Sequence, residues 1–229
     1  MPPKRKQPAS LTTSTLVPRH IKSAKKKMAT AQSKYEAEGC RKWFDKYADK
    51  DNRDLIGPDG CQSFFSDIGI SLESIQPLII GYKMKSSRMG YITWDEWFDV
   101  IKPNICNMEN DGKLKAVVDQ WEESVLNDPE EYMQFYLFTF NYAKTTGQKS
   151  MDVETAIAFW QIMLQDKYPI VKSFIQFLQE AHPVKVINKD QWSNMLYFCQ
   201  SVPENLQNYD NTSSWPVLFD DYVEWRQSL

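Results

Sequence analysis

Hydrophobic residues recur three and four positions apart along this chain from Tyr35 onwards. This spacing places side chains on one face of a helix, whereas the alternation typical of a strand is almost absent. In the first half the recurring positions are Trp43, Phe44 and Tyr47, then Phe64, Phe65 and Ile68, then Leu78, Ile79 and Tyr82, then Trp97, Val100 and Ile101. The pattern predicts a nearly all-α fold.

Residues 1–33 differ from the rest because they are rich in Pro, Ser, Thr and Lys and contain no periodic apolar pattern. Such a segment cannot bury enough apolar surface to offset the entropy that is lost on ordering. We therefore predict a disordered tail over residues 1–33 and a folded region over residues 34–229.

Four apolar residues are each followed three positions later by an acidic residue, which suits the first turn of a helix. The pairs are Ile56 with Asp59, Ile92 with Asp95, Met151 with Glu154, and Ile187 with Asp190. The two apolar residues of each half are 36 positions apart, and Thr93 and Asp152 are good N-cap residues. This repeat predicts two helix-loop-helix pairs whose loops bond through a short bridge, as in EF-hands. The alternative, four helix starts that match by chance, stays open.

These loops lack the ligands of a calcium site. If Ile92 occupies position 8 of an EF-hand loop, Gly90 and Glu96 match the turn glycine and the closing glutamate, but no carboxylate precedes them. In this loop, positions 1, 3 and 5 are occupied by Lys85, Ser87 and Met89. The first loop has Asp49 and Asp51 at positions 1 and 3, but Arg53, Asp54 and Gly60 stand at positions 5, 6 and 12. In the second half, the closing position is occupied by Thr155 in one loop and by Gln191 in the other. We predict an EF-hand-like scaffold without metal or cofactor.

The formal net charge of −3 conceals a division between the tail and the folded region. Residues 1–28 contain eight basic residues and no acid, which leaves 19 bases and 30 acids, or about −11, for the rest. An acidic folded region repels nucleic acid and favours a basic protein partner. The tail's clusters Lys4, Arg5, Lys6 and Lys25, Lys26, Lys27 suit a nuclear-import receptor, with a merely solvated tail as the alternative. We expect the nucleus as the main location and the cytoplasm as a second one.

Composition argues against several other classes. No apolar run approaches the roughly 20 residues of a membrane span, no apolar segment follows the basic N-terminus as in a secretory signal, and the four cysteines lack paired spacing.

A cysteine enzyme would need a nearby base, yet only His20 and His182 exist, and Cys61 and Cys199 lie in apolar helical patterns. No Walker loop, dinucleotide fingerprint or zinc-ligand cluster is present. We therefore predict a binding protein in a reducing compartment.

The end of the chain alternates large apolar and acidic residues and, with two other stretches, resembles a known family. The matching pieces are Asn208-Tyr209-Asp210, Trp215-Pro216-Val217-Leu218 with Asp220, Phe138-Thr139-Phe140-Asn141-Tyr142-Ala143-Lys144 with Gly147-Gln148-Lys149, and Ile56-Gly57-Pro58-Asp59-Gly60. They resemble the potentiating-neddylation domain of the defective-in-cullin-neddylation family. A short basic tail in place of a ubiquitin-binding domain resembles the nuclear branch of that family.

The resemblance implies a monomeric scaffold-type co-ligase that holds a cullin and the charged neddylation conjugating enzyme together within cullin-RING ligase assemblies. Such a protein accelerates transfer by proximity and orientation and needs no catalytic residue of its own. The domain would comprise a first lobe over residues 34–125 and a second lobe over residues 126–229, which would carry the cullin-binding patch. A metal-free EF-hand-like nuclear adaptor for another ligand, such as an amphipathic helix, is the alternative.

The resemblance also implies two sets of binding residues. Asp190, Ser214 and Asp220 match the family's Asp, Ala, Asp cullin patch, and serine at the middle position departs from it. The pocket for the acetylated N-terminal methionine of the conjugating enzyme would be lined by Pro58, Cys61, Pro77, Ile80, Gly81, Met84, Ile92, Tyr142, Phe159 and Ile162. Pro58 and Pro77 stand where aliphatic residues are usual in the family, which changes the expected pocket shape.

Overall fold

The structure, a computed structural model, describes residues 37–104 and 111–229 of the 229-residue chain. The predicted disordered tail, its two import clusters and the boundary at residue 34 lie outside these residues. Within them, the chain forms ten helices and four short strands, so the predicted all-α class is confirmed.

The helices and strands alternate in two similar halves. The first half consists of α1 (37–45), β1 (Leu55–Ile56), α2 (Pro58–Asp67), α3 (Gln76–Lys83), β2 (Ile92–Thr93), α4 (Trp94–Asn104) and α5 (Asp111–Asn127). The second consists of α6 (Pro129–Ala143), β3 (Ser150–Asp152), α7 (Val153–Met163), α8 (Ile170–Ala181), β4 (Val186–Asn188), α9 (Lys189–Ser201) and α10 (Val217–Gln227). Among the described helices, none is long and apolar enough to cross a membrane.

Each half contains one antiparallel strand pair, at the positions that the 36-residue repeat predicts. Ile56 pairs with Ile92 in the first half, and Met151 pairs with Ile187 in the second. All four of these apolar side chains are buried, with at most 3% of their surface exposed. The pairing positions are therefore confirmed, while the relation to EF-hands stays an interpretation of this geometry.

The predicted helix starts are correct, but one predicted cap is wrong. Acidic residues occupy the first turns of α2, α4, α7 and α9, as expected: Asp59, Asp95, Glu154 and Asp190. Thr93 Oγ1 accepts a hydrogen bond from the Glu96 N–H at 3.3 Å. Asp152 stands at the N-cap of α7, yet its side chain caps no N–H. Asn188, which the sequence pattern did not single out, forms a reciprocal capping box with Gln191 at the start of α9.

Two clusters of buried side chains form the interior, and α3 contributes to both. Ile80 and Met84 belong to the first cluster, which α1, α2, α4 and the first half of α5 complete. Leu78 and Ile79 belong to the second cluster, which contains the buried faces of α6 to α10. The division of the chain after residue 125 stays a prediction, since α3 and α5 each serve both clusters.

A buried polar network fixes α9 against α6 and α7. The Tyr136 hydroxyl donates to the Trp192 carbonyl at 2.8 Å and accepts from Trp160 Nε1 at 2.9 Å, while Trp192 Nε1 donates to the Tyr136 carbonyl at 3.0 Å. The Tyr136 and Trp192 rings stack with centroids 4.7 Å apart. Because these buried groups satisfy one another, the network favours a single placement of α9.

Candidate protein-binding site

The connection between α9 and α10 packs onto one aromatic ring, that of Phe198. The Trp215 ring meets it edge-on at a centroid distance of 5.3 Å, and the Tyr209 ring does so at 6.3 Å. Leu206 precedes them at φ 61°, a left-handed conformation that costs a non-glycine residue on the order of 1 kcal/mol. Packing of Leu206 against the second cluster helps to offset this cost.

Tyr209 also reaches the first turn of α10. Its hydroxyl donates a hydrogen bond to Asp220 Oδ1, and both residues are partly buried. Burial raises the pKa of Tyr209, and the bond to Asp220 raises it further. The phenol is therefore neutral near pH 7 and acts as a donor to the carboxylate.

Asp210 stiffens the next part of the same connection. Its Oδ1 accepts from the Thr212 N–H at 2.8 Å and from the Thr212 hydroxyl at 2.7 Å, and its Oδ2 accepts from the Ser213 hydroxyl at 3.3 Å. The bond from the Thr212 hydroxyl is the main reason that the pKa of Asp210 is lowered. This turn leaves Ser214 exposed just before Trp215.

Asp190 occupies the exposed face of α9. Asn194 Nδ2 donates to Asp190 Oδ1 at 3.0 Å, one helical turn further along. Because Asn188 and Gln191 cap this helix, the Asp190 carboxylate is not needed for the cap. Its side chain is exposed to solvent.

The three predicted cullin-patch residues come from adjacent elements: Asp190 from α9, Ser214 from the connection and Asp220 from α10. The helices meet where the Phe198 ring lies 4.9 Å from the Phe219 ring. Residues 189–229 carry six acidic and two basic side chains, a net charge of −4. We call the exposed part of α9, the connection and α10 the terminal surface.

Two large apolar side chains are exposed on the helices of the terminal surface. Val217 at the start of α10 is 70% exposed, and Tyr197 on α9 is 48% exposed. Tyr197 follows Asp190 by seven residues, so the two share a helical face. Acidic groups beside exposed apolar groups suit a basic, partly apolar protein partner.

The predicted peptide-pocket residues lie around the junction of the two clusters, but most are closed into the interior. Pro58 is exposed, and Pro77 and Ile162 are half-buried. Cys61, Ile80, Met84 and Ile92 belong to the first cluster, Tyr142 and Phe159 belong to the second, and Gly81 is buried between helices. The six clustered side chains are at most 8% exposed, which makes them core residues in this conformation.

Tyr142 lies at the centre of this group. A Cβ atom on Gly81 would lie 2.6 Å from Tyr142 Cζ, so the glycine allows the ring to pack against α3. The Met89 N–H donates to the Tyr142 carbonyl at 3.1 Å. Tyr142 of α6 therefore fastens the second half to the loop before β2.

The loop before β2 contains Gly90 and Glu96, the two residues predicted to match a calcium loop, but the glutamate binds the backbone. Gly90 has the expected positive φ of 78°. The Glu96 carboxylate accepts from the Ser87 N–H at 3.0 Å and from the Thr93 N–H at 2.9 Å. Over 37–104 and 111–229, no group of three or more His, Cys, Asp or Glu side chains is arranged to hold a metal ion.

The two buried thiols have a protonation state that opposes nucleophilic chemistry. Burial raises the pKa of Cys61 to about 12, with a smaller contribution from Asp49, and burial also raises the pKa of Cys199. The thiolate is the reactive form, so both groups are poor nucleophiles near pH 7. His182 is exposed at the end of α8.

A helical scaffold whose surface carries acidic side chains beside exposed apolar ones is typical of proteins that bind other proteins. The profile of a family described as "Cullin binding" matches residues 113–225, which include the whole terminal surface up to Trp225. The chain belongs to the DCN1-like protein family, because relatives from several animals match most of its length.

Three of these relatives show the extent of the match. DCN1-like protein 4 of Drosophila melanogaster is 36% identical over 83% of this chain and 75% of its own length. The human DCN1-like protein 4 is 35% identical over 87% of this chain and 66% of its own length. The human DCN1-like protein 5 is 32% identical over 88% of this chain and 82% of its own length.

Proposed function

We propose that this protein is a scaffold-type co-ligase for cullin neddylation, which binds the C-terminal winged-helix region of a cullin through its terminal surface. The observation that supports this most directly is the "Cullin binding" family match over residues 113–225. The excess of acidic side chains and the exposed Val217 and Tyr197 fit a basic partner with apolar contacts. The protein acts mainly in the nucleus, to which the basic clusters of residues 4–6 and 25–27 direct it.

The second partner in this proposal is the neddylation conjugating enzyme with its acetylated N-terminus. A charged amine is costly to bury, whereas an acetylated amide can satisfy its polar groups with hydrogen bonds. Binding at the cluster junction requires side chains there to open. Met84 is suited to this movement because its unbranched side chain has several rotatable bonds.

With both partners bound, the protein raises the rate of transfer to the cullin lysine by holding the reacting groups close together. The reactive cysteine belongs to the conjugating enzyme. The raised pKa of Cys61 and of Cys199 supports this division of roles, because neither thiol is prepared for attack.

The cullin site can be tested by titrating the full chain with a cullin winged-helix domain. We expect saturable binding that weakens by roughly tenfold or more in Asp190→Lys and in Asp220→Lys, because a reversed charge repels a basic partner. Asp166→Lys is the matched control, since Asp166 is an exposed acid in the turn between α7 and α8. No binding by wild type, or equal weakening in the control, contradicts the proposed cullin site.

The peptide site is tested separately with the N-terminal peptide of the conjugating enzyme, acetylated and unacetylated. We expect binding of the acetylated form only, with no change in Asp190→Lys, because the two sites are separate. Equal affinity for both peptides, or loss of peptide binding in Asp190→Lys, contradicts the two-site arrangement.

A further inference from the structure

Asp220 is the one carboxylate of the predicted patch that a tyrosine hydroxyl holds in the structure. Tyr209 lies 11 residues earlier, and its hydroxyl donates a hydrogen bond to Asp220 Oδ1. Nothing in the spacing of the motif requires this bond, because residues 210–216, which separate Tyr209 from the start of α10, contain no helix or strand. The bond results from how the connection packs.

Contacts of the ring, of the backbone and of the following residue hold Tyr209 in place. The Tyr209 ring lies edge-on against Phe198, whose own ring also contacts Phe219 of α10. The Tyr209 N–H donates to the Leu206 carbonyl at 3.1 Å, in a turn that Leu206 enters at positive φ. On the other side, the Asp210 carboxylate closes its turn with Thr212 and Ser213. These contacts restrict where the Tyr209 side chain can lie.

Burial and the neighbouring acids keep the Tyr209 hydroxyl protonated. Burial has the larger effect on its pKa, and Asp220, Glu224 and Asp210 raise the pKa further. The phenol therefore keeps the hydrogen that it donates to Asp220. Its hydroxyl occupies Asp220 Oδ1, which leaves Oδ2 as the oxygen available to an incoming cation.

We infer that Tyr209 is a positioning residue, which holds the Asp220 carboxylate in one rotamer so that Oδ2 is presented to a lysine or arginine of the bound protein. This inference rests on the proposed function for the identity of that partner. A prepared carboxylate loses less rotamer entropy on binding, and the affinity is correspondingly higher.

The first experiment measures the Asp220 rotamer in the free protein, so it does not depend on any partner. Three-bond NMR couplings to Asp220 Cγ report whether χ1 is fixed or averaged. We expect a single rotamer in wild type and averaged couplings in Tyr209→Phe, which keeps the ring on Phe198 and loses only the hydroxyl. Averaged couplings in wild type, or unchanged couplings in the variant, overturn the inference.

The second experiment measures binding of the full chain to the cullin winged-helix domain. We expect Tyr209→Phe to weaken binding about three- to tenfold, the usual effect of one hydrogen bond. The same substitution should have no further effect in an Asp220→Ala background, because the group that it positions is gone. Tyr168→Phe removes a hydroxyl elsewhere on the second cluster and is the control.

The outcomes separate this inference from the proposed function. If wild type does not bind the cullin domain, the proposed function fails, and the NMR couplings alone decide whether Tyr209 fixes Asp220. If wild type binds and Tyr209→Phe binds equally well or more tightly, the positioning role fails while the proposed function stands. An equal loss in the Asp220→Ala background would assign Tyr209 to direct contact and also overturns the inference.

Discussion

At the scale of single residues, the contact between Gly81 and Tyr142 shows most clearly how the two halves meet. Both residues belong to the predicted peptide pocket, and Tyr142 also lies in the family-like stretch Phe138–Lys144. The resemblance implied them only as separate residues of the pocket lining. In the structure the missing side chain of one makes room for the ring of the other.

Gly81→Ala should destabilise the protein by about 1–3 kcal/mol, because the added Cβ overlaps the buried ring of Tyr142. Chemical denaturation followed by circular dichroism measures the change. The matched control is Gly39→Ala in α1, where a Cβ meets nothing within 4 Å and should be neutral or stabilising. Equal effects of the two substitutions would show that the Tyr142 ring moves freely.

Burial also separates the predicted pocket residues in a way that the sequence could not. Ile80 and Phe159 are apolar residues on helices, which any helical core would contain, and they are 1% and 8% exposed. Pro58 is exposed at the start of α2. Periodicity identifies the buried face of a helix, but it does not distinguish a core position from the wall of a pocket that opens on binding.

At the scale of elements, the starts of the helices were largely predictable, because first-turn acids and cap residues act over three or four positions. The exception is instructive. Asp152 and Asn188 each precede a helix and each lie at the end of a paired strand. Only Asn188 turns its side chain onto the helix, where Gln191 completes the capping box.

Asn188→Ala should therefore lower the free energy of unfolding by about 1 kcal/mol, the usual cost of losing an N-cap. Asp152→Ala at the corresponding position should change it by only a few tenths of a kcal/mol, since its side chain caps no N–H. Thermal and urea unfolding of the two variants under the same conditions measure the difference. A larger effect at Asp152 would contradict the assigned caps.

The strand pairs were predictable for a related reason. A 36-residue repeat of apolar residues, each before an acid, identifies the two loops that pair in each half. A strand pair needs only short segments in register, and a buried apolar residue at the centre fixes that register. The sequence therefore determined the partner positions, although not the length of each bridge.

At the scale of the whole molecule, α3 links the two clusters. Its Gln76 Nε2 donates to Asp119 and Glu122 of α5, at 2.9 and 2.6 Å, and Lys83 pairs with Glu131 of α6. The bond to Lys83 is the main cause of the lowered pKa of Glu131. Apolar burial on two sides and polar contacts at both ends hold the halves together through one eight-residue helix.

The same overall arrangement should be indifferent to calcium. Both carboxylate oxygens of Glu96 accept hydrogen bonds from backbone N–H groups. Lys85 and Arg53 stand at loop positions where a calcium site would supply oxygen ligands. The midpoint of thermal unfolding should therefore be equal in millimolar calcium and in chelator, because an ion that does not bind cannot stabilise the folded state. An upward shift of the midpoint in calcium would show that one of the loops binds the ion.

The sequence by itself determined the helical class, the helix starts, the pairing residues and the family resemblance, because each depends on short-range periodicity or on a linear motif. It also located Asp190, Ser214 and Asp220 as candidates. Only the tertiary structure decided that Tyr209 holds Asp220, that Tyr142 packs on Gly81 and that α3 belongs to both clusters. These contacts join residues that are distant along the chain or separated by irregular backbone, so they follow from packing and side-chain rotamers that no local pattern specifies.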